Sequence, residues 1–115
     1  MGSEYWALAT ASAFDMLRQE ACAEVAKPEW WNEEELKALS ARVVRAAPDD
    51  ASACMMRANV LSGKGGDWGS GPRSAAELRE ATTHYERAAA LCPAPEMKAM
   101  FTRNAETCRS LTDAI

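Results

Sequence analysis

Few residues of this chain are of types that do chemistry, and their spacing limits what they could do. His84 is the single histidine in 115 residues, so any imidazole base would have to be this one. It stands directly before Tyr85 on what reads as a helix flank, where a solvated or half-buried histidine is the expectation rather than a general base. Cys22, Cys54, Cys92 and Cys108 are far apart and include no CxxC pair, so no metal-ligand spacing emerges. They are expected as reduced, buried thiols rather than as a disulfide framework. Glu33, Glu34 and Glu35 form a carboxylate cluster with no second one set against it, and they suit the start of a helix. No catalytic residue, metal site or cofactor is expected.

The glycine-rich stretch, residues 63–73, holds five of the six glycines and a lysine, Lys64. A phosphate loop needs GxxxxGK followed by Ser or Thr, between a strand and a helix. Here Gly65 follows Lys64 and a helix precedes the stretch, so both spacing and context fail. Two readings remain: a flexible insertion, or an interaction loop with Trp68 at its tip. An exposed tryptophan on a mobile tip is costly without a purpose, but it could also fold back on the domain.

The bulk properties set the class. Hydrophobic content is 48%, much of it alanine, and aromatic content is 7%, which suits closely packed helices better than a β-sandwich. The length implies one domain: residues 4–115, with residues 1–3 given no fold role and readable as a tag remnant or disordered start. Net charge is −4, the pI is about 5.0 and no basic run occurs, so neither nucleic acid nor an anionic membrane surface is an expected partner. No apolar stretch is long enough for a transmembrane segment, and no basic-plus-apolar leader opens the chain. The expected location is intracellular, cytoplasmic or organellar, since a removed transit peptide leaves no trace.

Five helices are expected. The first covers residues 4–26, with Trp6, Ala9, Ala13, Leu17, Ala21 and Val25 in one stripe, widened by Phe14 and Met16, and with Lys27-Pro28 as its stop. Trp30 and Trp31 follow, either packing between helices or anchoring a partner. Asn32, with Glu35 three residues on, caps a second helix with Leu36, Leu39, Val43 and Ala46 or Ala47 inward, closed by Pro48. Asp49 or Asp50 caps a third, residues 51–62, with Cys54, Ala58 and Leu61 inward and Gly63 beyond its end. Ser74 with Glu77 caps a fourth, residues 75–91. A fifth covers residues 96–112, with Met97, Phe101, Ala105 or Asn104, Cys108 and Leu111 on one face.

Within the fourth helix, Ala81, Tyr85 and Ala88 share a face and Pro93 ends the run. This Ala-x3-Tyr-x2-Ala-x4-Pro spacing resembles the second helix of a tetratricopeptide repeat. Residues 32–110 carry the resemblance. An offset of 45 residues brings Arg42 onto Arg87, Val43 onto Ala88, Pro48 onto Pro93, Met55 onto Met100 and Asn59 onto Asn104. That offset is the family's 34-residue period lengthened by about 11, the size of the glycine-rich stretch. Leu36 and Ser40 stand at the places of Ala81 and Tyr85, a departure from the family pattern. Arg103 stands where Ala58 does, which suits a capping helix with a polar outer side.

The resemblance implies an all-α stack of about five antiparallel helices whose groove binds other proteins. Its residues would include Met55, Asn59, Met100 and Asn104, with Lys98 near and Trp68 as a second contact. Methionines give an adaptable apolar floor, and asparagines can bond an extended peptide or simply face solvent. Met55 replaces a lysine that a carboxylate-clamping member would carry. The expected function is a non-enzymatic interaction module, an adaptor or small subunit of a larger assembly, with self-association open. The alternatives are a purely structural helical subunit without a peptide groove, and a small-ligand or nucleotide-binding domain using the glycine-rich loop.

Overall fold

The computed structural model describes residues 2–18, 29, 32–63 and 74–114, and among them the chain is all-α. Its helices are α1 (Gly2–Arg18), α2 (Glu33–Ala46), α3 (Ala51–Ser62), α4 (Ala75–Leu91) and α5 (Pro95–Ala114). Cys22, Pro28, Trp30, Trp31, Trp68 and the second half of the expected first helix lie outside the described residues.

Local chemistry sets the boundaries. Asn32 Oδ1 accepts from the Glu35 N–H at 3.0 Å, and Asp50 Oδ2 accepts from Ala53 N–H at 2.9 Å. Ser74 and Glu77 form a reciprocal capping box, each side chain bonded to the other's backbone N–H at 3.1 Å. Gly63 ends α3 with φ 70°, a left-handed conformation that any side chain would strain. The connections at 47–50 and 92–94 are short, which obliges neighbouring helices to reverse direction.

Among the described residues the interior is two apolar clusters that share α3. Ala7, Ala11 and Phe14 of α1, Leu36, Val43 and Ala47 from α2 and its end, and Ala53, Met56 and Val60 of α3 make the first. Cys54, Met55, Ala58 and Leu61 of α3 meet Ala81, Tyr85, Ala88 and Ala89 of α4 and Phe101, Ala105 and Cys108 of α5 in the second. α3 is therefore buried on nearly every side, as a helix apolar all round must be.

Two expectations are corrected. In α1 the inward face is Ala7, Ala11 and Phe14; Ala9, Ala13 and Met16 are exposed. A helix with alanine on several sides presents more than one small-residue stripe, and the Phe14 ring, fully buried with Trp6 packed against the same cluster, decides which faces in. In α5 Ala105 rather than Asn104 joins the core, while Met97 and Leu111 are exposed.

The 45-residue offset is visible in burial. Leu36 and Ala81, Ser40 and Tyr85, and Val43 and Ala88 are all fully buried. The two helices hold one interior register even where serine replaces the tyrosine.

Candidate functional site

The sequence-derived groove residues separate into an interior group and a surface group. Asn59 is only 2% exposed and lies inside the protein. Its Oδ1 accepts the Tyr85 hydroxyl at 2.5 Å, and its Nδ2 has no partner. The Ser62 hydroxyl lies 3.3 Å from the Tyr85 oxygen, extending this relay toward the surface. Met55 is likewise interior, in the same cluster against which Met100 packs. Asn59 and Met55 thus form the wall behind the groove rather than its surface.

The surface group lies on α5. Met97, Met100, Asn104, Thr107, Cys108 and Leu111 fall within about 60° of Asn104 around the helix axis. Asn104, Thr107, Cys108 and Leu111, with Ser62 from α3, enclose a concavity of about 200 Å³. None of these lining residues is charged. Its apolar part is Leu111, 49% exposed, beside the buried Cys108. Met97, 41% exposed, continues the same face toward the start of α5. Lys98 is exposed but lies about 120° round the helix from Asn104, so it does not border the concavity. Trp68 lies outside the described residues.

A second concavity, about 360 Å³, lies between α4 and α5 and is lined by Arg79, Thr82, Thr83, Glu86, Arg109, Thr112 and Asp113. Two of its charges pair with each other, Arg109 Nη2 lying 2.6 Å from Glu86 Oε2. The three threonine hydroxyls donate to carbonyls one turn back.

A polar tie across three helices was not anticipated from the sequence. Arg57 of α3 donates from Nη1 to the Lys37 carbonyl at 2.8 Å and to Ser40 Oγ at 3.1 Å, both on α2. Its Nε donates to Glu80 Oε2 of α4 at 2.9 Å. Lys37 also pairs with Glu77 of α4 and, at 3.4 Å, with Glu33. Where α4 fills its interior position with the Tyr85 ring, α2 has only Ser40, and the guanidinium bonds the serine hydroxyl there. The signal for this tie was present: Arg57 is the one charge in an otherwise uncharged helix.

The ionisable groups follow their surroundings. Burial pushes the Glu80 carboxyl up, but the Arg57 guanidinium and, after it, the His84 ring together hold it below the ordinary glutamate value. Burial likewise raises Glu77, and the bonds from Lys37 and the Ser74 backbone more than reverse it. The Cys54 thiol is raised by burial, so it stays a thiol. Cys54 and Cys108 are buried and Cys92 is half-buried. Among the described residues no group of histidine, cysteine and carboxylate side chains could hold a metal ion, and no helix is long and apolar enough to cross a membrane.

Comparison of the chain with protein-family models, with curated proteins and with solved structures finds no match in any of the three.

Proposed function

We propose that the protein is a non-enzymatic interaction module resembling a short tetratricopeptide array, and that it binds a segment of another protein through the α3–α5 face. The observation that carries this reading is the uncharged concavity of Ser62, Asn104, Thr107, Cys108 and Leu111, continued by Met100 and Met97. An exposed leucine and methionine in one row on α5 leave apolar surface in water that a partner would cover. Asn104 and Thr107 at its rim provide hydrogen-bonding groups for a peptide backbone, and the absence of charge in the lining favours an apolar anchor side chain over an acidic or basic one. The repeated interior register of α2 and α4 supports the repeat architecture.

The test is selection of binders from a random peptide library on the folded protein, with affinities measured for wild type, Leu111→Asp and Asn104→Ala. Peptides sharing an apolar anchor, weakened at least tenfold by Leu111→Asp in a variant with an unchanged circular dichroism spectrum, are the expected result. Enrichment of no peptide, or binding indifferent to both substitutions, would overturn the reading.

A further inference from the structure

We infer that His84 is a proton-operated release for the tie between α2 and α4, independent of any partner in the groove. The inference rests on three features of geometry. His84 Nε2 lies 3.2 Å from Glu80 Oε2, so Nε2 carries the hydrogen and donates it. Its other nitrogen, Nδ1, is buried and has no hydrogen-bond partner. Finally, the oxygen His84 uses is the one Arg57 Nε uses: both bonds end on Oε2.

Together these fix the neutral ring as the form that fits. A proton arriving from solvent must go to Nδ1, where the new N–H has no acceptor and leaves water unpaired. The resulting imidazolium also competes with Arg57 for one carboxylate oxygen and repels the guanidinium. The charged groups acting on the ring are Glu80 and Arg87 from α4 and Arg57 from α3. Lys37 of α2 and Glu77 of α4 complete the cluster around the tie. The Glu86–Arg109 pair with α5 is on a different side, about 200° round α4 from His84. Burial, the largest influence, lowers the affinity of the ring for a proton, and Arg57 and Arg87 act the same way against the opposing pull of Glu80.

The consequence is directional. Arg57 is the side chain that grips the Lys37 carbonyl and the Ser40 hydroxyl of α2. Drawing Glu80 away from Arg57, and placing positive charge beside it, loosens that grip. The folded-state affinity for the proton lies below the ordinary histidine value, so the unfolded chain binds more protons as pH falls through that value. The stabilisation is complete above it and is lost on acidification. The carboxylates of Glu77 and Glu80 are themselves held below the ordinary glutamate value.

The sequence contains one histidine, so its signals need no assignment by mutation. The experiment is an NMR titration of the full chain from pH 8 to pH 5, following the imidazole nitrogens, the Arg57 Nε–H and the amides of α2. The expected results are a neutral ring protonated on Nε2, a midpoint below the ordinary histidine value, and movement of the Arg57 Nε–H and the amides around Lys37 to Ala41 in the same step. His84→Gln is expected to abolish that step, and urea unfolding midpoints of the variant are expected to vary less with pH than those of wild type. A ring protonated on Nδ1, a midpoint at or above the ordinary value, or α2 signals that stay still through the step would each overturn the inference. These wild-type outcomes decide it even if the variant does not fold.

Discussion

Tyr85 and Asn59 exchange one hydrogen bond in a place with almost no water, and the cost of breaking it depends on which partner is removed. Tyr85→Phe leaves the Asn59 oxygen buried without its hydroxyl donor and is expected to destabilise the fold by about 1–3 kcal/mol. Adding Asn59→Leu removes the stranded amide as well, so the double variant is expected to recover part of that loss. Chemical denaturation of both singles and the double gives the coupling. Additive losses would mean that the bond contributes little. The sequence showed Tyr85 as an inward ring through its spacing from Ala81 and Ala88. It did not show that Asn59 turns inward, because α3 has apolar residues on all sides and no stripe marks an outer face.

The helix boundaries were the most legible elements, since caps are local chemistry. Asn32, Asp50, Ser74 with Glu77, Gly63 and Pro93 each stand where a short-range rule places them. The facing of α1 was not legible, since alanines suit either side and the choice depends on how Phe14 packs against α2 and α3. Removing the α4 cap with Ser74→Ala is expected to cost about 1 kcal/mol in denaturant unfolding. It also has a pH signature. The folded Glu77 carboxyl sits below its unfolded value, so its contribution is present above the ordinary glutamate pKa and is lost as pH falls through it. Ser74→Ala removes part of the cause, so its stability is expected to fall less steeply than that of wild type over that range. An equal slope would assign the effect to Lys37 and to the backbone N–H of position 74, both of which the substitution leaves in place.

Across the whole molecule, α3 joins two clusters that would otherwise be separate. Met56 faces only the first cluster, yet shortening it shifts the helix that also forms the wall of the second. Met56→Ala is expected to cost about 2–5 kcal/mol and to lower hydrogen-exchange protection in α4 as well as in α2. Loss of protection confined to α1 and α2 would show instead that the halves open separately. The face proposed for binding is on the α5 side of this arrangement, and the Arg57 tie is between α2 and α4.

The burial of α3 on both sides also matters during synthesis. When Gly63 leaves the ribosome, α1 and α2 can cover one side of α3, but the helices that cover the other side have not been made. Cys54, Met55, Ala58 and Leu61 then face water or a chaperone until α4 has emerged. The glycine-rich stretch comes next and lengthens that interval. A nascent chain stalled there would present that apolar side of α3 uncovered.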